Sequence, residues 1–230
     1  MKAAGAPHSG DWLNAPPITA DEAMRVAVRY RLGSDTWQPH TCICGNKVNA
    51  RGLHGLSCRK SIPRCIHHSQ LNDLIWRAAR KAQIHAVQEP VDLTREDGKR
   101  SDGATLTPCV QGKPLAWDVT VSNTFAQAHL SNTSLTAGAA ADKAVVSKTA
   151  KYEKLRGTHL FFPVAIETGG PWIAQATELV QEIGRRLPII TSDPLETRYL
   201  FQRISITIQR GNAMDFKDTF LTERSCSKFT

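Results

Sequence analysis

The feature that most constrains this chain is a knot of metal-type ligands inside a stretch with no hydrophobic period. Cys42, Cys44, Cys58 and Cys65 lie within 24 residues, with His40 and His54 among them. Residues 34–66 show neither the 3.6-residue spacing of a helix nor the alternation of a strand, so no apolar face organises them. Six cysteines could form disulfides. However, the chain has 230 residues, enough to bury a core without covalent staples, and MKAAGAPHSGDWLNAPP at its start has no apolar run of signal-peptide type. In a reducing compartment, clustered cysteines point to metal instead. Cys109 and Cys226 stand alone and read as bystanders.

The cluster reads as C-x-C (Cys42, Cys44), nine intervening residues, then H-x3-C (His54, Cys58). A structural Zn²⁺ takes four N/S ligands in a tetrahedron, and two close pairs joined by a short loop can supply them. Gly45, Gly52 and Gly55 give so small a loop its backbone freedom. His40 and Cys65 stay open as substitute ligands.

Around the cluster the chain has the 41% apolar and 22% charged content of a globular protein. No stretch approaches the ~20 apolar residues of a membrane helix. The first twenty or so residues read as an extended lead-in, followed by a short helix near Asp21–Leu32 ended by Gly33. A stronger helix is expected from about Ser69 to Ala86. It carries Leu71, Leu74, Ile75, Ala78, Ala79 and Ala82 on one side and Arg77, Arg80 and Lys81 on the other. Gln88-Glu89-Pro90 ends it, because Pro90 disfavours helical backbone at Glu89. Strands follow over 103–109 and 114–122, with turn signals at Asp97-Gly98 and Gln111-Gly112. A helix from about Ala139 to Leu155 closes at Gly157, and residues 160–167 form a further strand. Ile173, Ala176, Val180, Ile183 and Leu187 then mark a helix. The last element starts at Asp193-Pro194 with Glu196 as a capping-box partner, and reads as helix despite the Ile204/Ile206/Ile208 alternation. The order implies α/β with a small mixed sheet.

Lys+Arg of 29 against Asp+Glu of 21 gives +8, which suits an anionic partner such as nucleic acid. The basic helix with Arg77, Arg80 and Lys81 is the place such a backbone would lie. Within residues 114–122, Asp118 alternates to the face away from Leu115, Trp117 and Val119. A carboxylate there is costly unless that face is a wet strand edge or holds a metal. Asp102 and Glu89 taken alone are ordinary surface residues. Lys148 shares a helical face with Val145, Tyr152 and Leu155, and Lys151 lies on its edge. Such lysines commonly snorkel to water. Beside two carboxylates, though, an inward lysine suits metal-assisted phosphodiester hydrolysis.

These segments together resemble a known family. "CICGNKVNARGLHGLSC", "HHSQLNDLIWRA", Gln88-Glu89-Pro90, "DGKRSDGATL", "AWDVTV", "KTAKYEKL" and "FFPVAIETGG" occur in the order found in site-specific non-LTR retrotransposon polyproteins. In those proteins a CCHC zinc knuckle precedes a restriction-like endonuclease of the PD-(D/E)XK class. The resemblance covers roughly residues 38–170. It implies a lead-in and short helix over 1–37, a knuckle over 38–64 and a restriction-like domain over 65–230 with a small mixed sheet flanked by helices. It also implies Asp102 and Asp118 as Mg²⁺-binding catalytic carboxylates, Lys148 or Lys151 as the displaced catalytic lysine, and Tyr152 beside them. His68 matches the histidine of the family's R-H-N-like element, and Glu89 is a candidate accessory carboxylate on the preceding helix. The K-Y pair favours Lys151, while helical direction favours Lys148. Ser101 replaces the proline of PD, His67 an arginine and Ser69 an asparagine, and Thr120 fills the lysine position of D-x-K. The implied activity is nicking of DNA at a target site in the nucleus, leaving a 5′-phosphate, with the element's RNA as a second partner. No reverse transcriptase segment is present, so the resemblance is to the tail of such an element. A nucleic-acid-binding fragment without catalysis is the rival reading. An adaptor using the Trp-bearing N-terminal segment is a third.

Overall fold

The computed structural model describes residues 21–35, 37–94, 98, 100–108 and 112–220. The lead-in, Asp97, Gln111, Cys109 and Cys226 lie outside them.

The sheet that carries the site has four strands: β3 (Ala86–Gln88), β4 (Gly103–Thr105), β5 (Leu115–Ser122) and β6 (Leu160–Glu167). β3, β4 and β5 are antiparallel neighbours, and β6 runs parallel to β5. A parallel pair needs a long crossover, here the short α3 (Leu130–Thr133) and α4 (Ala139–Lys151). One face of the sheet, with Leu115, Trp117 and Val119, joins the main core formed with α2 (Pro63–Lys81), α5 (Ala174–Thr191) and α6 (Glu196–Lys217). Trp117 is 2% exposed, and its indole lies where a side chain on Gly103 would be, so that position admits only glycine. The other face receives α4.

α2 differs from its expected bounds at both ends. It begins at Pro63, whose missing N–H costs nothing in a first turn, and stops at Lys81 because Gln83 turns into left-handed backbone (φ 57°). The chain then becomes strand: Ile84 and Ala86 are buried on either side of exposed His85. Glu89 therefore follows a strand, not a helix. β4 is shorter than expected, and α4 ends at Lys151 before a 3₁₀ turn over Glu153–Gly157. The capping box at α6 does not form. Asp193 instead accepts from the Leu195 N–H (2.8 Å), while Glu196 pairs with Lys81 and with Arg203 (3.7 Å). α5 runs through Pro188, which leaves the Gly184 carbonyl without its helical donor. Thr197 of α6 supplies that hydrogen bond at 2.7 Å, locking the two helices together.

N-terminal to this layer, α1 (Asp21–Leu32) and a 3₁₀ turn (Leu53–Ser57) pack on α6, and the hairpin β1 (His40–Thr41)–β2 (Lys47–Val48) packs on that turn. Val26, Tyr30, Leu56, Ala213 and Phe216 form one apolar cluster there. Tyr30 meets Phe125 and Phe216 edge-on at 5.0 and 5.7 Å, a geometry worth about 0.5–1.5 kcal/mol per pair. Gly55 lies so close to the Asp215 carbonyl that a Cβ would sit 2.6 Å from it, so it serves close approach and not loop freedom. Gly45 and Gly52 do take positive φ. The boundary expected at residue 64 falls inside the first turn of α2. Among the described residues no helix is long and apolar enough to cross a membrane.

Candidate functional site

The first cluster is assembled almost entirely from local turns. The β1–β2 hairpin turns through Cys42-Ile43-Cys44-Gly45, held by Cys42 N–H to Asn46 O (2.9 Å) and Gly45 N–H to Cys42 O (2.8 Å). The 3₁₀ turn presents His54, and Cys58 follows it. Cys42 Sγ and Cys58 Sγ stand 3.7 Å apart, Cys44 Sγ and His54 Nε2 stand 3.1 Å apart, and all four ligand atoms lie within 4.8 Å of one another. A tetrahedral Zn²⁺ with Zn–S of ~2.3 Å separates its sulfurs by roughly 3.8 Å, so this set could hold such an ion. The thiols are unevenly poised. Burial pushes Cys42 up to about 11, while the backbone N–H of Asn46 draws Cys44 down to about 6. A central cation would favour the thiolate at both. His40 is engaged elsewhere, bonded to Thr219 (2.9 Å) and stacked on Phe220 (4.1 Å). Cys65 is exposed on α2, outside the cluster.

The second cluster is assembled across the fold. Gly103 pairs with Trp117 and Ala104 with Ala116. Continuing that register by one residue sets Asp102 opposite Asp118, with both side chains on one face. Like charges so placed repel, and neighbouring groups hold them. Asp102 Oδ2 accepts from the Val119 N–H (2.6 Å) and lies 3.0 Å from His68 Nε2, which also lies 3.0 Å from the Val119 carbonyl. Asp118 accepts from Lys148 Nζ at both oxygens, 2.7 and 2.8 Å. β5 is an interior strand and Asp118 is only 4% exposed, which removes the wet-edge explanation. Burial, then the charge of Asp102, pushes the Asp118 carboxyl above its usual range, with Lys148 and Tyr152 pulling it back. The hydrogen bond to Asp102 raises His68 against the opposing effect of burial. His68, Asp102 and Asp118 each offer an atom within 4.8 Å of the others. An octahedral Mg²⁺ at ~2.1 Å spaces its ligands about 3.0–4.2 Å apart, so these residues also fit a cation.

Of the two lysines, Lys148 reaches the carboxylates, whereas Lys151 is exposed at the end of α4. Tyr152 is buried, stacked on Phe161 (4.5 Å), and donates to the Arg100 carbonyl (2.9 Å), tying the Asp102 segment to α4. Glu89 donates its backbone N–H to the Asp102 carbonyl (3.1 Å), but its exposed side chain is not one of the clustered ligands. Thr120 shares the Asp118 face, as alternation requires.

Sequence reasoning passed over Asn72. Its amide donates to the Asp102 carbonyl (2.9 Å) and accepts from the Trp117 indole (3.0 Å), fixing both strands to α2. Its signal was the spacing from His68, one helical turn earlier on the same face. A cleft of about 490 Å³ opens beside this cluster, lined by His68, Thr120 and Lys148, by His67, and by Arg59 and Arg64 close to Cys58. Arg77, Arg80 and Lys81 do not line it. Arg77 pairs with Asp73 (2.8 Å), Arg80 lies over Trp76 (5.2 Å) and Lys81 pairs with Glu196.

No protein-family model matches the chain, and a search of the curated proteins finds no match.

Proposed function

We propose that the chain is a divalent-metal-dependent DNA endonuclease with a restriction-like PD-(D/E)XK core and a structural Zn²⁺ in the Cys/His ribbon. The observation that carries this reading is the gathering of Asp102, just before β4, and Asp118, on β5, with carboxylate oxygens within 4.8 Å of one another and Lys148 from the crossover helix bonded to Asp118. Asp118 and Asp102 would hold the cation, with His68 bonded to Asp102 beside it. When bound, Mg²⁺ would polarise the scissile phosphate and lower the pKa of an attacking water. The Lys148 ammonium, already 2.7 Å from Asp118, donates hydrogen bonds where negative charge develops on the phosphoryl oxygens. His68 and the Val119 N–H keep Asp102 oriented through Oδ2, leaving Oδ1 for the site. Tyr152 and Asn72 act as positioning residues by fixing the backbone at Arg100 and Asp102. Water attack forms a new P–O bond, the P–O3′ bond breaks, and the products are a 5′-phosphate and a 3′-hydroxyl.

The test is nicking of supercoiled plasmid by the purified, zinc-loaded chain. Nicking is expected with Mg²⁺ or Mn²⁺ and not with excess chelator, and Asp118→Asn should lower the rate by about 10³-fold or more. No metal-dependent nicking by folded protein would overturn the reading.

A further inference from the structure

The part of the cleft next to the Cys/His ribbon takes no part in that chemistry, yet it has the makings of a binding site. Arg59 follows the ribbon's last ligand directly, and Arg64 stands in the first turn of α2; both are exposed and both line the cleft. Arg64 Nη1 reaches the Cys58 carbonyl at 3.4 Å, so the ribbon sets the guanidinium's position. The first turn of α2 carries no acidic residue to neutralise these arginines. His67, 3% exposed and packed against Gly211 of α6, lines the same cleft as part of its wall, with Nε2 inaccessible. Asp215 is the carboxylate in this part, and it already accepts from Ser61 Oγ (3.0 Å) with Arg64 nearby.

We propose that this part of the cleft is a phosphate subsite for a nucleic-acid strand, in which Arg59 and Arg64 grip the phosphate next to the one presented to Asp102 and Asp118. Arg64 and His68 are one helical turn apart, about 6 Å along α2, which is of the order of the spacing between neighbouring backbone phosphates. The ribbon is then a device that holds two arginines at the cleft mouth, not a separate reader of sequence. The inference rests on the nuclease reading for the identity of the neighbouring site, but its test needs no cleavage.

The experiment measures fluorescence anisotropy of a short fluorescein-labelled duplex across a salt series, with Asp118→Asn as the parent to prevent cutting. Arg59→Gln with Arg64→Gln should weaken binding at least about tenfold and flatten the slope of log affinity against log salt by roughly 2. Arg59→Lys with Arg64→Lys should restore most of the slope, and Arg77→Gln with Lys81→Gln should leave it unchanged. An unchanged slope in the glutamine pair, or an equal loss in the Arg77/Lys81 pair, would overturn the proposal. If the glutamine pair does not fold, the Nε–Hε resonances of Arg59 and Arg64 in the parent decide. They shift on adding the duplex if the subsite exists and stay in place if it does not. Wild-type protein with the arginine-dependent slope but no nicking would defeat the nuclease reading alone. Nicking with a slope indifferent to both arginines would defeat this inference alone.

Discussion

The Cys/His ribbon and the carboxylate site are built in opposite ways. The ribbon's ligands run from Cys42 to Cys58, and a hairpin turn plus one 3₁₀ turn suffice to gather them. The carboxylate site draws His68, Asp102, Asp118 and Lys148 from a helix, the residue leading into β4, strand β5 and a crossover helix, and it depends on the sheet register being correct. The first is held by its own loop and offers four ligands to a cation. The second is held by the core: Trp117 over Gly103, Asn72 across to Asp102, and Tyr152 stacked on Phe161. A local site can therefore fail without taking the fold with it, while the dispersed site registers every defect in packing between strands and helices.

The largest effect expected from that contrast falls on the ribbon. Cys58→Ser should reduce zinc from about one per chain to near zero and destabilise the ribbon by several kcal/mol, since zinc binding and folding share one free energy there. Elemental analysis with hydrogen exchange over residues 38–60 checks this, and slow exchange in β5 should persist. Zinc lost on Cys65→Ser but kept on Cys58→Ser would mean a different ligand set. The next effect separates the lysines. Lys148→Ala should lower nicking by about 10²–10³-fold, whereas Lys151→Ala should leave it nearly intact; the reverse order would move the catalytic role to the exposed residue.

The smallest effect concerns the contact between the two regions. Burial pushes the Asp215 carboxyl up to about 6, with Ser61 and Arg64 opposing it. The folded state thus binds this proton more tightly than the unfolded chain, whose value is about 3.9. This group's contribution is fully favourable below pH 4 and is lost as pH rises through about 6. Asp215→Asn should match wild type near pH 4 and exceed its stability by about 2 kcal/mol near pH 7. Urea unfolding of both proteins across that range measures the difference, in which the pH dependence of zinc binding cancels.

The same contrast explains what the sequence made legible. Spacing alone was enough for the ribbon, because its geometry is local. Alternation put Asp118 and Thr120 on one face and Trp117 on the other, and the fold keeps that arrangement. The start of α2 was hidden. Its first two turns carry no apolar stripe, and the usual rule is inverted there: Ile66 is exposed while His67 is buried. Starting the helix at Ser69 left Arg64, His68 and Asn72 without the common face they share in the structure. β3 was concealed because Ile84 and Ala86 continue an apolar run, and only the left-handed Gln83 converts it to strand. Choosing between Lys148 and Lys151 needed the crossing of α4 over β5, which no spacing within the helix encodes.

The central claim, that Asp102 and Asp118 jointly hold a divalent cation, is most directly tested by Mn²⁺ binding to zinc-loaded protein, followed by electron paramagnetic resonance. Wild type should bind about one Mn²⁺ per chain in addition to zinc, and Asp102→Asn and Asp118→Asn should each weaken that binding by at least about tenfold while zinc content stays constant. No saturable Mn²⁺ site in wild type, or the same affinity in both variants, would contradict it.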